Sequence, residues 1–146
     1  MLNLAIITAV NAHAGQYDRA GNPYILHSLK VMHYLKTDDE ELQCAAVLHD
    51  VVEDTEVGLF QLSELGFSNR VVRAVDCLTK RDGETYEQYK ENVFSNVDAM
   101  RVKLADLRHN SDIRRLKNKN VTEKDIQRTV KYHQFYLEIE QKLDVS

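Results

Sequence analysis

Apolar residues recur at helical spacing along nearly the whole chain, and no stretch alternates with the two-residue period of a strand. Only one Pro and five Gly occur in 146 residues, so few positions interrupt a helix. The pattern therefore predicts an all-α protein. The length is typical of one domain, and we expect a single domain over residues 1–146.

The predicted helices are separated by polar or Gly-containing segments. In chain order they cover residues 2–14, residues 23–36, a segment after Asp38 or Asp39 that carries residues 48–54, residues 57–65, a segment after Ser68, a segment holding Tyr86, Tyr89 and Val93, residues 97–117, and a segment after Thr122. Polar residues 15–22 form the longest predicted loop.

Local signals mark several of these boundaries. Pro23 stands where the first turn of a helix tolerates proline. Asp38 or Asp39 and then Ser68 are typical N-cap residues, and Gly66 is typical of a helix end. On the helix after Ser68, the predicted inner face holds Val71, Val72, Val75 and Leu78.

The last helix opens with Thr122 followed by Asp125, which resembles a capping box with Asp in place of Glu. Its predicted inward face comprises Ile126, Val130, His133 and Leu137, with Ile139 as a further candidate. Six aromatic residues at helical spacing are predicted to belong to the core and not to a base-stacking surface: Tyr86, Tyr89, Phe94, Tyr132, Phe135 and Tyr136.

Composition narrows the class of protein. The charged fraction is 29% and the formal net charge is −4, so bulk charge does not indicate a nucleic-acid partner. No apolar run is long enough to span a membrane, and the apolar N-terminus lacks the basic region of a signal peptide. Cys44 and Cys77 lack the spacing of a thiolate metal site, so we expect two reduced, buried cysteines in a cytoplasmic protein without nucleic-acid or membrane partners.

Candidate chemistry is concentrated in the stretch Leu48–Asp54. His49 and Asp50 interrupt an apolar run, and Glu53 and Asp54 follow one helical turn later. On a continuous helix, His49 and Glu53 share a face, as do Asp50 and Asp54. Burying these groups is costly unless a cation compensates them, and imidazole with carboxylate suits a divalent metal ion. The alternative is a surface pair or a capped helix end.

Two further residues could complete a metal site. His27 lies one turn into a helix between apolar neighbours, where a hydrogen-bonded core histidine is the alternative. Asp106 is embedded in an apolar helix, where a salt bridge to Arg108 or Arg101 would also explain it. Together with His49 and Asp50, they would give two His and two Asp from three helices. A divalent ion held by them would lower the pKa of a bound water.

The chain resembles the HD-domain metal phosphohydrolases, and more narrowly the hydrolase domain of RelA/SpoT-type alarmone enzymes. The resemblance covers about residues 10–115 and rests on five strings in the family's order: residues 13–16, residues 21–27, residues 45–55, residues 78–80, and residues 103–106 with His109 and Asn110. The string His49–Thr55, with Pro23–His27 before it and Leu104–Asp106 after it, is the specific part.

This resemblance implies an all-α HD-domain helical bundle and a role for each matching residue. His27, His49, Asp50 and Asp106 match the four ligands of one divalent ion, typically Mn²⁺. Glu53 and Asp54 match the acidic pair that acts on the attacking water.

Other matching positions concern the substrate. Arg19 occupies a position where the family has a basic residue near guanine, and Lys103 and Asn110 match positions lining the nucleotide pocket. His13 and Tyr24 match family positions to which no contact is assigned, and bracing the loop over the site is one role open to them.

The implied activity is metal-dependent hydrolysis of the 3′-pyrophosphate of guanosine tetra- and pentaphosphate, (p)ppGpp, giving GDP or GTP and pyrophosphate. The partner would be a small-molecule nucleotide, and a homodimer is left open. Two alternatives stand beside this activity. One is a phosphohydrolase acting on a 5′-mononucleotide or a phosphorylated dinucleotide cofactor, and the other is a catalytically silent nucleotide-binding module. Intact Glu53 and Asp54 argue against the silent module.

Departures from the family pattern concern the substrate more than the metal. Asp18 stands where the family is basic, Ser28 replaces a proline, and residues 111–113 differ from the usual continuation after Asn110. Asp18 could accept hydrogen bonds from guanine or simply face solvent. The basic run at Arg114, Arg115, Lys117 and Lys119 could contact phosphates or form a solvated helix end.

Overall fold

The computed structural model describes residues 1–116 and 120–144, and these residues adopt an all-α fold. Nine α-helices and one 3₁₀ turn are assigned within those ranges: α1 Leu2–Ala12, α2 Ile25–Leu35, α3 Glu40–Leu48, α4 Val51–Asp54, α5 Leu59–Glu64, α6 Asn69–Leu78, α7 Tyr86–Phe94, α8 Val97–Asn110, the 3₁₀ turn Ile113–Leu116, and α9 Glu123–Asp144. In this described part of the chain, every helix is too short or too polar to cross a bilayer.

Helices α3 and α8 form the centre of the bundle. α8 packs against α2, α7 and α9 and also touches α3 and α6, while α3 packs against α1, α2 and α6. One apolar cluster lies among α2, α3 and α6–α9, and a second lies among α1 and α3–α6. Because α3 contributes to both clusters, residues 44–48 are buried on all sides.

Side-chain caps fix the helix starts, as the sequence predicts. Asp39 accepts a hydrogen bond from the Leu42 amide, and Ser68 accepts one from the Val71 amide. Thr122 and Asp125 form the reciprocal pair: the Asp125 amide donates to Thr122 Oγ1, and the Thr122 amide donates to Asp125 Oδ2.

Several predicted boundaries are wrong by a few residues. Helix α1 ends at Ala12 and not at residue 14. Pro23 precedes α2, because it is held in an isolated antiparallel bridge with Tyr17 that closes the loop. The predicted helix 57–65 shortens to α5, and the predicted helix 97–117 ends at Asn110 and gives way to the 3₁₀ turn. Lys117, the predicted end, lies outside the described residues, as does Lys119 of the basic run.

The predicted continuous helix through residues 48–54 is wrong in one important respect. α3 stops at Leu48 and α4 starts at Val51, so His49 and Asp50 form the turn between two helices. The His49 amide bonds to the Ala46 carbonyl, three residues back, which tightens the last turn of α3. The turn, and not a shared helical face, sets the directions of the His49 and Asp50 side chains.

The predicted inward face of α9 is wrong at four positions and confirmed at the further candidate, Ile139. Ile126, Val130 and Leu137 are each about half exposed, and His133 is exposed. Phe135 and Ile139 are the fully buried residues, with Tyr132, Tyr136 and Leu143 packed partly against the same cluster. The Phe135 ring meets those of Tyr86, Tyr89 and Phe94, and such large aromatic contacts outweigh the burial of four smaller side chains. The expectation that the aromatic residues belong to the core is confirmed.

The cysteine prediction is half correct. Both thiols are free, and Cys44 is buried in α3 as expected. Cys77 is only partly buried, since it lies on the side of α6 where its Sγ approaches Ser95 Oγ at 3.8 Å.

The observed orientation of α9 predicts a large difference between two neighbouring aliphatic residues. Ile139→Ala should lower the free energy of unfolding by about 2–5 kcal/mol, because Ile139 is fully buried and its loss leaves a cavity. Leu137→Ala, the matched control at 49% exposure, should change it by less than about 1 kcal/mol. Denaturant unfolding measures both, and equal losses would contradict the orientation.

Candidate metal centre and adjoining cavity

Four side chains from three segments converge beside α8. His27 comes from α2, His49 and Asp50 from the turn after α3, and Asp106 from α8. One donor atom of each lies within 4.8 Å of the donor atoms of the other three. His27, His49 and Asp106 are almost completely buried, whereas Asp50 is only partly covered. The structure thus brings together the four residues that the sequence singles out.

The distances between the donor atoms match those around a single cation. His27 Nε2 lies 2.9 Å from Asp106 Oδ1, and His49 Nε2 lies 2.9 Å from Asp50 Oδ2. The two remaining His–Asp separations are 3.3 and 3.6 Å. Neighbouring ligands of an octahedral ion with bonds of about 2.1 Å are about 3.0 Å apart. Two imidazole nitrogens and two carboxylate oxygens therefore fit one divalent metal ion.

Both imidazole rings are held so that Nε2 faces the carboxylates. His49 Nδ1 lies 2.7 Å from the Ala46 carbonyl oxygen, which fixes Nδ1 as the protonated nitrogen. His27 Nδ1 lies 2.7 Å from His109 Nδ1, and the two rings are stacked with centroids 5.0 Å apart. Outer partners of this kind set the tautomer and the orientation of metal-binding histidines. His109 has this role and does not belong to the converging four.

Asp106 is also fixed from behind by its own helix. Lys103 Nζ donates to Asp106 Oδ2 at 2.8 Å, and Asn110 Nδ2 donates to Asp106 Oδ1 at 3.0 Å. Lys103 lies over the Tyr89 ring, 5.2 Å from its centroid, in the core between α7 and α9. It therefore supports the metal centre from the inside, and it is absent from the described residues that line the adjoining cavity. The substrate contact expected of Lys103 stays a prediction, and the contacts seen are with Asp106 and Tyr89.

The two carboxylates give the four-residue cluster a negative potential that favours positive charge. Burial acts to lower the pKa of His49, but the carboxylates of Asp50 and Asp106 raise it well above its usual range. Burial acts to raise the pKa of Asp106, but Lys103 and the two imidazoles hold it well below its usual range. The carboxylates thus stay charged and attract either protons or a cation.

Glu53 and Asp54 lie on α4, just outside the four donors and open to solvent. The Lys80 amide donates to Glu53 Oε1 at 2.7 Å and so anchors that carboxylate. Although both residues are exposed as a whole, partial burial of their carboxyl groups, with the negative charge of Asp50 adding to it, raises the pKa of both Glu53 and Asp54. A carboxylate with a raised pKa is a stronger base, which suits it to accept a proton from water.

Tyr24 and His13, to which the sequence assigns no contact, connect the loop to the metal centre. The Tyr24 hydroxyl donates to Asp50 Oδ2 at 2.6 Å, and its ring lies between those of His13 and His27. His13 Nδ1 lies 2.8 Å from Gln16 Oε1, so His13 braces the loop. Its Nε2 is buried and has no hydrogen-bond partner in the described part of the chain.

A cavity of about 390 Å³ opens beside the centre, within the usual size range of small-molecule sites. Tyr24 and Asn110 line it and also contact the metal cluster. Its charged residues come from the loop, the 3₁₀ region and α9: Asp18, Arg19, Asp112, Arg115, Asp125 and Arg128. Arg19 and Asn110 both line this cavity, and their contacts with a nucleotide stay a prediction.

Asp18 organises the cavity wall and does not face solvent. Its Oδ1 accepts hydrogen bonds from the Ala20 and Asn22 amides at 3.0 and 2.9 Å, and its Oδ2 lies 3.3 Å from Arg115 Nη2. The side chain is 13% exposed, so the solvent-facing interpretation is wrong. Burial acts to raise the pKa of Asp18, but these hydrogen bonds lower it. Both oxygens are already engaged, which disfavours direct reading of guanine.

Three arginines near the cavity differ in the residues with which they pair. Arg115 Nη1 donates to Asn110 Oδ1 at 2.8 Å, so Arg115 links the loop to the end of α8. Arg19 pairs with Asp125 at 3.2 Å on the cavity wall. Arg114 is exposed and pairs with Asp112. From the sequence, Arg115 was only one member of a basic run, and no spacing rule separates it from Arg114.

Comparisons with known proteins agree with this geometry. The model of the family described as "HD domain" matches residues 5–130. The bifunctional (p)ppGpp synthase/hydrolase SpoT of Escherichia coli K12 is 34% identical over 123 residues, covering 75% of this chain and 17% of that protein. A probable GTP pyrophosphokinase of Mycobacterium leprae is 36% identical over 124 residues, covering 74% of this chain and 16% of that protein.

A solved structure extends the likeness over the whole fold. It is that of a metazoan ortholog of SpoT that hydrolyzes ppGpp, with a TM-score of 0.78 and 25% sequence identity. The match covers 98% of this chain and 91% of that one. By contrast, this chain spans only about a sixth of the length of the curated relatives described above.

The geometry predicts that Asp106 is essential for metal binding. Asp106→Asn keeps the shape of the side chain but removes the charge that faces both imidazoles, so the purified variant should hold no stoichiometric metal by elemental analysis. Asp76→Asn, on the surface of α6, is the matched control and should bind metal normally. His109→Ala should keep one ion per chain with an affinity lowered about 10–100-fold, as for loss of an outer partner. Full occupancy in Asp106→Asn would contradict the assignment.

Proposed function

The chain belongs to the HD domain family, and we propose that it is a metal-dependent phosphohydrolase that removes the 3′-pyrophosphate of (p)ppGpp. The observation that carries this proposal is the four-donor cluster beside a cavity of about 390 Å³, to which Tyr24 and Asn110 connect it, with Glu53 and Asp54 on α4 just outside the four donors. The substrate is proposed from the relatives: SpoT is a (p)ppGpp synthase/hydrolase, and its metazoan ortholog hydrolyzes ppGpp. We take residues 1–146 as one such domain.

His27, His49, Asp50 and Asp106 would hold one divalent ion, and Mn²⁺ suits a mixed set of nitrogen and oxygen donors. When bound, such an ion lowers the pKa of a coordinated water and offsets negative charge on phosphate oxygens. Tyr24 keeps Asp50 oriented, and Lys103 with Asn110 keeps Asp106 oriented, so the donor atoms need little rearrangement.

Glu53 is the proposed general base. Its carboxylate is anchored by the Lys80 amide and can take a proton from the attacking water. The new bond joins the water oxygen to the first phosphorus of the 3′-diphosphate, and the bond from that phosphorus to the 3′ oxygen breaks. The 3′ oxygen takes up a proton and becomes a hydroxyl, and pyrophosphate leaves with GDP or GTP as the other product. Asp54 shares the site and positions the water.

Recognition of the nucleotide falls to the arginines of the cavity. Arg19, Arg115 and Arg128 each present a guanidinium, and guanidinium groups bind phosphate oxygens in pairs or stack on a base. Arg115 supplies the positive charge that Asp18 does not provide at the usual basic position, and Asp18 keeps Arg115 in place. Asn110 completes the wall beside the metal centre.

A screen of purified protein against nucleotides with added Mn²⁺ tests the proposal. We expect GDP and GTP with pyrophosphate from ppGpp and pppGpp, and no comparable turnover of 5′-mononucleotides or a phosphorylated dinucleotide cofactor. Turnover of one of the latter, without cleavage of (p)ppGpp, would replace the substrate assignment. Tight nucleotide binding without any turnover would indicate a silent binding module.

The role of Glu53 predicts a specific kinetic defect. Glu53→Gln should keep the metal and lose turnover by roughly two to four orders of magnitude, the usual size of a general-base effect. Glu56→Gln, an exposed residue just past the end of α4, is the matched control and should leave turnover unchanged. Turnover near that of the parent protein in Glu53→Gln would refute the role.

The contacts of Asp18 predict that its removal weakens substrate binding equally for guanosine and adenosine substrates. Asp18→Ala should raise KM roughly tenfold for guanosine and adenosine substrates alike, because it frees Arg115 and the loop amides that Asp18 holds. Asp82→Ala, an exposed aspartate outside the cavity, is the control. A larger rise for guanosine than for adenosine would instead show that Asp18 reads guanine.

A further inference from the structure

A second cavity of about 400 Å³ lies between the C-terminal end of α2, α8 and α9. Its polar wall includes Tyr34, Lys36, Arg101, Arg108 and Tyr136, and Leu104 contributes to its apolar floor. No Asp or Glu is among the described residues that line it. All the charged residues that line this cavity are cationic, although the formal net charge of the chain is −4.

The cavity lies on the opposite side of α8 from the metal centre. Residues 101, 104, 105 and 108 follow the spacing of one helix face, whereas residues 103, 106 and 110 follow the same spacing about half a turn away. The first set lines this cavity. The second set consists of Asp106 and the two residues that bond to it, Lys103 and Asn110. A ligand here would therefore touch α8 without entering the metal centre.

The three cations of the cavity are available for a ligand. None of Lys36, Arg101 and Arg108 forms a salt bridge with a described residue. In contrast, Arg70 and Arg81 each pair with carboxylates elsewhere on the surface. The N–H groups of these guanidinium and ammonium groups have no acceptor among the described residues, so they can donate hydrogen bonds to an anion.

All three cations are exposed, and two of them have distinctive local structure. The Arg108 guanidinium lies over the Tyr34 ring, 4.3 Å from its centroid, and this contact limits its orientations. Lys36 ends α2 in the left-handed conformation at φ 48°, where glycine is the usual residue. The chain thus keeps a lysine at a position whose backbone conformation disfavours it.

We propose that this cavity is a second ligand site, which binds the diphosphate group of a small molecule. Planar guanidinium forks from Arg101 and Arg108 match pairs of phosphate oxygens, and the Lys36 ammonium adds a third charge. A diphosphate offers several charged oxygens to these three groups, whereas a single carboxylate offers only two. Inorganic pyrophosphate and a nucleoside diphosphate share this chemistry, and the site does not rest on the proposed hydrolysis.

Backbone amide NMR of the full chain, titrated with pyrophosphate and separately with GDP in the presence of a chelator, tests the proposal. We expect saturable shifts at Lys36, Thr37, Arg101 and Arg108 with both ligands. Arg101→Glu and Arg108→Glu should weaken this binding by roughly tenfold or more, the usual effect of losing a charge-assisted hydrogen bond. Arg73→Glu, an exposed arginine on α6, carries the same charge change as a control and should bind like the parent protein.

The relative affinities for pyrophosphate and GDP identify which part of the ligand is bound, and two other results would contradict the proposal. Equal affinity for both ligands assigns the site to the diphosphate group alone, and tighter GDP binding adds a contact with the nucleoside. Shifts confined to the catalytic cavity, around Asp18, Asn110 and Arg115, would overturn the proposal. Equal weakening by Arg73→Glu would overturn it as well, because binding would then follow net charge. Neither result would affect the hydrolysis proposed above.

Discussion

The structure depends on how a buried carboxylate, Asp106, is compensated at the centre of the bundle. Its two oxygens meet two imidazoles, the Lys103 ammonium and the Asn110 amide. These groups come from α2, from the turn after α3 and from α8 itself. An isolated carboxylate in such a place would be strongly destabilising. Here the same contacts that offset its burial also aim its charge at the point where His27, His49 and Asp50 converge.

The fold serves this arrangement through α3 and α8. Because the second half of α3, residues 44–48, is buried on all sides, the end of the helix is fixed, and the tight turn at His49 and Asp50 leaves it in one direction only. Outer contacts then remove the remaining freedom: the Ala46 carbonyl and His109 orient the imidazoles, and Tyr24 orients Asp50. The site is thereby organised largely before metal or nucleotide arrives, which limits the rearrangement that binding requires.

The sequence predicts the all-α class, the caps and the four converging residues, because helical periodicity and buried charge are both local signals. It does not predict the break at His49–Asp50, which depends on packing of α3 against α1, α2 and α6. The wrong face of α9 has a similar cause. Apolar spacing favoured Ile126, Val130 and Leu137, but the Phe135 ring fits among the aromatic side chains of α7, and that contact is visible only in three dimensions.

The residues that orient the metal ligands and the cavity wall were likewise not predictable from local sequence patterns. His109 follows Asp106 by three residues and could have been placed near it, yet its stacking on His27 joins residues 82 positions apart. Lys103 matched a pocket position, but its spacing from Asp106 also suits the ion pair that the structure contains. For Asp18 and Arg115, 97 positions apart, no local pattern connects the two.

Anomalous diffraction from crystals of the Mn²⁺-loaded protein would locate the ion independently of activity. We expect one peak, bonded to His27 Nε2, His49 Nε2 and one carboxylate oxygen each of Asp50 and Asp106, with Lys103 and His109 outside bonding distance. A peak bonded to His109, or an ion held by Glu53 and Asp54 in place of these four residues, would contradict this expectation.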